Sequence, residues 1–193
     1  MNKLYKYFVN AIDIVNNIMK KRVVEGSTVV DATIGNGHDT NLLASLVGNE
    51  GKVYGFDIQE DAINSTRIKL EKNNLDNRVR LIKDSHEYIQ KYINEKVDFI
   101  IFNLGYLPGG HHSITTKSDS TIKAVEKSLE LLNNNGILLI VVYPGHSSGK
   151  IEKEKIDDYL KLLNQKEFTV LKFDFINQIN HPPILYGIEK KSN

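Results

Sequence analysis

Cysteine is absent from the chain. A disulfide framework, a thiolate metal site and a zinc finger are thereby excluded, and an intracellular setting is allowed without being demanded. Long apolar runs are missing as well, and nothing approaches the roughly 20 apolar residues a helix needs to span a bilayer. From Met1 to Lys20, charged residues (Lys3, Lys6, Asp13) and asparagines interrupt the apolar pattern, so it lacks the continuous core of a signal peptide. The expected location is cytoplasmic, with no membrane partner. A dominant charge is lacking too. Lys and Arg number 25 against 24 Asp and Glu, so no global field attracts nucleic acid and any RNA contact must come from a local basic face.

What is present fits one domain over residues 1–193. The composition, 40% hydrophobic and 25% charged, is that of an ordinary globular protein with a sizeable core. Leu4, Tyr7, Phe8, Ala11, Ile12, Val15, Ile18 and Met19 recur at helical spacing, so residues 1–26 are predicted to form a helical segment packed on that core. Strands are predicted at Thr28–Ala32, Lys52–Asp57, Val79–Lys83, Val97–Phe102, Ile137–Val142, Phe168–Ile176 and Ile184–Glu189. Helical patterns separate each of the first six, with the run Asn133-Asn134-Asn135-Gly136 closing the helix before the fifth strand. The last two strands are joined without a helix, so the final one is predicted to run antiparallel, because a parallel return needs a dozen or more residues. The fold class is therefore α/β, a seven-stranded, mostly parallel sheet with helices on both faces.

The first strand runs into Asp31-Ala32-Thr33-Ile34-Gly35-Asn36-Gly37-His38-Asp39-Thr40. Gly35 and Gly37 permit backbone conformations and close approach that a Cβ would hinder, and the helix that follows offers unpaired N–H groups to a ligand. Alone, this turn also fits an ordinary strand-to-helix connection. Two more polar positions fall at the ends of successive strands, Asp57 with Gln59, and Asp84-Ser85-His86. In an open parallel sheet those ends line one crevice.

Strand order and turn together resemble a class I S-adenosylmethionine-dependent methyltransferase of Rossmann-like fold. In that setting Gly35-Asn36-Gly37 approaches the amino-acid part of the cofactor, Asp57 accepts from the ribose hydroxyls, Gln59 flanks the adenine, and Asp84, Ser85 and His86 bond its edge. A dinucleotide is disfavoured because the third glycine of its fingerprint is absent, and because Asp39 at a helix start repels a pyrophosphate but attracts an amine or a sulfonium. Asp39 also reads as a plain helix cap. Thr33 departs from the common pattern, standing where the first of three glycines usually lies.

After the fourth strand comes Asn103-Leu104-Gly105-Tyr106, at the place where amino-group methyltransferases carry Asn/Asp-Pro-Pro-Tyr/Phe. An amine presents its lone pair to a methyl group only if its hydrogens find acceptors to one side. The Asn103 side-chain oxygen and the Leu104 carbonyl can supply them, and Tyr106 can stack on a base. His111, His112 and His146 are the candidate proton acceptors, each with a solvated-loop reading beside the catalytic one.

The fuller runs Asn103 to Gly110, Ser113 to Lys117, Tyr143-Pro144-Gly145-His146 and Asn180-His181-Pro182-Pro183, with Asp31 to Thr40, resemble a family over nearly the whole chain. It is that of the small bacterial methyltransferases formerly called rRNA methylases and associated with the tRNA wobble base 5-aminomethyl-2-thiouridine. The resemblance implies methylation of the exocyclic nitrogen, with the tRNA anticodon region as partner and Pro108, His111, Lys117, Tyr143 and His146 on the substrate side. His111-His112 depart from the pair expected after the double glycine. Lys20, Lys21, Arg22, Lys117, Lys123, Lys150, Lys153 and Lys155, with Lys3 and Lys6, are candidates for phosphate contacts, and a homodimer would combine two such faces. Ribosomal RNA, a small-molecule amine, a non-catalytic RNA-binding role and a nicotinamide oxidoreductase stand as the alternatives.

Overall fold

The computed structural model describes residue 5, residues 7–105 and residues 118–192. Its elements are α1 (Ala11–Arg22), β1 (Thr28–Asp31), α2 (His38–Leu46), β2 (Lys52–Asp57), α3 (Glu60–Lys72), β3 (Val79–Lys83), α4 (Ile89–Tyr92), β4 (Val97–Asn103), α5 (Ser118–Leu131), β5 (Leu132–Val142), α6 (Ser147–Lys161), β6 (Phe168–Phe173) and β7 (Ile184–Lys190), with 3-10 turns before β3 and α4. The seven strands form one sheet in the order β3-β2-β1-β4-β5-β7-β6. β1 to β5 pair in parallel, and β7 runs antiparallel to both β5 and β6. The antiparallel last strand agrees with the sequence expectation; its insertion between β5 and β6 is long-range pairing that a local pattern does not encode.

Period-two alternation builds the two sides of the sheet. Val29, Val53, Phe99, Ile101, Leu139 and Val141 pack in one cluster with Ala11, Val15 and Met19 of α1, Leu43 of α2 and Leu70 of α3. Val30, Phe56, Ile100, Phe102 and Ile140 pack in the other with Ile89 of α4, Ala124 and Leu129 of α5, and Ile156 and Leu160 of α6. Helices thus cover both faces, and the central strands read as near-continuous apolar runs because neither of their faces meets water. Strand order reverses between β1 and β4, the point where loops leave toward opposite faces and a crevice opens at the carboxyl ends.

Three boundaries differ from the periodic reading. α1 begins at Ala11 because the Asn10 side chain accepts from the Asp13 N–H at 2.8 Å and so caps the helix; Tyr7 and Phe8 lie ahead of it, exposed, and Leu4 falls outside the described residues. β5 begins at Leu132, which pairs with Val97, and the asparagine run is an irregularity inside the strand, with Asn135 at φ 60 and Asn133 donating to Asp98 at 2.6 Å. β6 stops at Phe173, and Ile176 beyond it is exposed.

Asn10→Ala is expected to destabilise the protein by about 1 kcal/mol through loss of the cap. Thermal unfolding should show a Tm lower by roughly 2–4 °C. An unchanged Tm would mean that packing of the apolar face alone sets the start of α1.

Candidate active site

A cleft of about 1390 Å³ lies at the carboxyl ends of the strands, walled by the β1–α2 turn, the ends of β2, β3 and β4, the β5–α6 turn and one side of α1. The glycine turn is shaped by backbone bonds. The Ile34 N–H bonds the Phe56 carbonyl at 3.0 Å, the Gly37 N–H bonds the Ile34 carbonyl at 2.8 Å, and both Gly35 and Gly37 have positive φ. Gly35, Asn36, His38 and Asp39 reach the cleft wall. Gly37 does not: a Cβ there would run into the Thr66 side chain, so its bareness serves the close packing of α3 against the turn. Thr40 and Asp31 are fully buried beneath the turn, where the Thr40 hydroxyl donates to Asp31 at 2.5 Å and the Thr33 N–H at 3.1 Å.

Asp57, at the tip of β2, accepts from the Gly35 N–H and from the Gln59 N–H, each at 2.9 Å. One backbone donor per oxygen fixes the carboxylate and leaves further lone pairs for a diol. Ile58, 54% exposed beside it, adds an apolar face that sequence reasoning passed over for Gln59; both line the cleft. Asp84 accepts from the Tyr92 hydroxyl at 2.6 Å and the Ser85 N–H at 2.8 Å, and the Tyr92 bond first of all holds its carboxyl below the usual range. Ser85 caps the following turn by accepting from the Glu87 N–H. The buried His86 ring stands edge-on to Phe102, with Nδ1 3.1 Å from the Ala32 carbonyl. A carbonyl only accepts, so Nδ1 carries the proton. Burial pushes the imidazole pKa down, and Nε2 is a buried acceptor with no partner.

Asp31, Asp39 and Asp57 crowd one turn, and none of the ion pairs among the described residues involves them. Burial, and then the Asp39 charge, push the Asp31 carboxyl up to about 7. Burial likewise raises Asp39, opposed by the Asn103 amide and by His38. An acidic pocket whose carboxyls make no ion pair is relieved by a cation. Its carboxylates, the diol-ready Asp57 and the bare Nε2 of His86 together fit S-adenosylmethionine, which carries an ammonium, a sulfonium, ribose hydroxyls and an adenine. Among the described residues no cluster of three or more His, Asp or Glu could hold a metal ion.

The β4 end supplies the second half of the site. The Asn103 N–H bonds the Thr33 hydroxyl at 2.6 Å, and Asn103 Nδ2 donates to Asp39 at 3.3 Å. Thr33, the residue departing from the glycine pattern, thus ties the turn to β4. Because the Asp39 carboxylate only accepts, it turns the amide NH2 toward itself and leaves Oδ1 as an acceptor on the other side. The Leu104 side chain is buried and its N–H bonds the Val141 carbonyl at 2.9 Å, which fixes the backbone at that point. Gly105 has φ 147, a value a side chain would resist. Tyr143 lines the cleft near Asn103, and burial with the Asp39 charge raises its hydroxyl pKa. His146 caps α6: its Nδ1 accepts from the Gly149 N–H at 3.1 Å.

Tyr106, Pro108, His111, His112 and Lys117 lie outside the described residues, as do Lys3 and Lys6. Of the remaining lysines, Lys153 pairs with Asp157 and Lys155 with Asp119, and Arg22 donates to the Asn135 carbonyl; Lys20, Lys21, Lys123 and Lys150 are exposed. The cleft also recruits residues that sequence reasoning did not assign: Ile12 and Asn16 of α1, Ser120 of α5, Ser147, Ser148 and His181. Asn16 carried a faint signal as a polar interruption of an apolar stripe. No helix among the described residues is long and apolar enough to cross a membrane.

A seven-stranded sheet of this order with a reversed β7, opening a cleft at its switch point, defines a class I S-adenosylmethionine-dependent methyltransferase. The chain belongs to the family described as "Putative rRNA methylase", whose model matches residues 53–189. It is 32% identical over 192 residues to the chloroplastic tRNA (mnm(5)s(2)U34)-methyltransferase of Arabidopsis thaliana, a match covering 94% of this chain and 70% of that one. A Clostridium thermocellum crystal structure described in the same words as the family is 52% identical, with a TM-score of 0.92 over 94% of this chain and 97% of that one. A Streptococcus mutans crystal structure described as "a putative methyltransferase" in complex with SAH is 41% identical, with a TM-score of 0.85 over 93% of this chain and 97% of that one.

Two outcomes are expected. Asp57→Ala should weaken S-adenosylmethionine binding by about 10- to 100-fold, the worth of losing a hydrogen bond to a charged group, and calorimetry showing unchanged affinity would remove Asp57 from the cofactor site. The second concerns Asp31, whose carboxyl keeps its proton up to about 7 in the folded protein but releases it near 3.8 when unfolded. Between those values the folded state binds more protons, so stability of the ligand-free protein should fall as pH rises from 4 to 7. Chemical denaturation across that range should show the slope, and Asp31→Asn, which can keep both hydrogen bonds, should flatten it. The same slope in the variant would locate its source elsewhere.

Proposed function

We propose that the protein methylates the exocyclic aminomethyl nitrogen of the tRNA wobble base 5-aminomethyl-2-thiouridine, giving 5-methylaminomethyl-2-thiouridine. The observation that carries this reading is the Asn103 amide held by Asp39, which leaves a fixed carbonyl oxygen beside the glycine turn. An oxygen so placed can accept an N–H of an amine and aim the nitrogen lone pair. A carbon acceptor has no N–H to orient, and a hydroxyl acceptor needs a group that removes its proton, which an amide oxygen does not do. Support for the RNA and the base comes from the Arabidopsis thaliana relative, named for that nucleoside.

When bound, S-adenosylmethionine supplies a methyl group made electrophilic by its sulfonium. Asp57 and the turn it anchors would hold the ribose, and His86 with Asp84 and Ser85 the adenine. Asp39 does two things at once: its charge favours a cation in the cleft, and its hydrogen bond sets the orientation of Asn103. The Leu104 carbonyl is offered as the second acceptor. The tRNA anticodon region is the macromolecular partner in this reading, with Lys123 and Lys150 among the exposed cations available for phosphate.

Asn103→Ala is expected to lower turnover by about 100-fold while S-adenosylhomocysteine affinity changes less than about threefold. Wild-type turnover would remove Asn103 from the amine site. Nucleoside mass spectrometry of tRNA from cells lacking the gene should show 5-aminomethyl-2-thiouridine accumulating and disappearing on complementation. An unchanged profile, with methyl transfer to ribosomal RNA in vitro, would favour the acceptor named in the family description.

A further inference from the structure

The sequence nominated His111, His112 and His146 as proton acceptors, and the cleft adds His181, which that reading left without a role. The loop between β6 and β7 carries two consecutive non-glycine residues in the left-handed region, Asn180 at φ 67 and His181 at φ 49. Asn and His tolerate that region better than most residues, yet two in succession is uncommon and signals a chain bent to a purpose. Pro182 and Pro183 follow and fix the exit from the bend. The result is that His181, though exposed, reaches the wall of the same cleft that holds Asn103, Gly105, Tyr143 and His146.

An amine of the proposed substrate is largely ammonium at neutral pH, and an ammonium has no lone pair with which to attack. Among the described residues of the cleft few groups can take its proton. Asn103 and the serines have no basic atom. Tyr143 holds its own proton more firmly than usual. His146 has its Nδ1 lone pair engaged by the Gly149 N–H, so its neutral form already carries a proton on Nε2 and a second would break the α6 cap. Asp39 is bonded to Asn103, and protonating it would weaken the charge-assisted bond that orients the amide. His38 opens α2 beside Asp39, on the glycine-turn side. His181 makes none of the hydrogen bonds or ion pairs found among the described residues, so its imidazole keeps a nitrogen lone pair that none of them engages.

We infer that His181 is a catalytic residue, the acceptor of the proton that the substrate ammonium must lose. It rests on the amine reading above. The ammonium N–H bond breaks, its electron pair stays on nitrogen, and the proton bonds to an imidazole nitrogen of His181, giving imidazolium. The freed lone pair then forms the N–CH3 bond as the methyl–sulfur bond breaks with its pair on sulfur. The products are a secondary ammonium and a neutral thioether, and His181 returns its proton to solvent.

Single-turnover methylation of an anticodon stem-loop bearing 5-aminomethyl-2-thiouridine, followed from pH 6 to 9.5 at saturating RNA, tests this. His181→Ala and His181→Gln should be about 100-fold slower than wild type at pH 7, and the deficit should shrink at least tenfold toward pH 9.5 as the amine deprotonates unaided. Added imidazole should restore part of the His181→Ala rate, and S-adenosylhomocysteine affinity should stay unchanged in both variants. A deficit of the same size at every pH, or no deficit, overturns the inference alone. A wild-type enzyme that leaves this nucleoside unmethylated overturns it together with the reading it rests on.

Discussion

One hydrogen bond joins the two halves of the site. The Asn103 N–H, at the end of β4, meets the hydroxyl of Thr33, just past the end of β1, at 2.6 Å. The strands are already in parallel register, with Asp31 opposite Ile101, so the pairing continues into the loops through a side chain. The consequence is geometric. The turn suited to a cofactor and the amide suited to an amine cannot drift apart without breaking this bond and the Asp39–Asn103 contact beside it. Methyl transfer is an in-line displacement, and its rate depends on holding two groups at a fixed separation more than on any single reactive side chain.

The electrostatics show a second constraint. Burying Asp31 next to Asp39 costs stability, as the upward displacement of both carboxyls records. A protein selected for stability alone would not bury one acid beneath a turn, beside a second in the wall above it, without an ion pair to either. Here the cation is expected to come with the ligand, so affinity is obtained at the expense of the empty protein. The bare Nε2 of the buried His86 follows the same pattern: a polar atom kept unsatisfied where a ligand can satisfy it.

The basic face marked out by sequence shrinks once side chains are placed. Lys153 and Lys155, which read as a cationic helix surface, are held by Asp157 and Asp119. Asp157 also accepts from Lys172 and from the Tyr186 hydroxyl, so that part of α6 is tied to β6 and β7. Charge counted along a helix overstates a binding surface whenever the opposite sign arrives from a neighbouring element.

Alternating apolar strands, amphipathic helices and a glycine-spaced turn were sufficient for the sequence by itself to determine the α/β class, the seven strands, the reversed last strand and the position of Asp57 at the tip of β2, because each is encoded in a few adjacent residues. The place of Asn103 at the end of β4 was legible for the same reason, since an apolar strand stops there. Tertiary structure alone decided the rest. Thr33 and Asn103 are 70 residues apart, as Asp39 and Asn103 are 64 apart, and no local pattern reports a hydrogen bond over such a span. It also gave Gly37 a packing role against Thr66, engaged His146 as a helix cap, and drew Ile12, Asn16 and His181 from distant elements into one cleft. Periodicity tells which face of an element is buried; only the folded chain determines what that face meets.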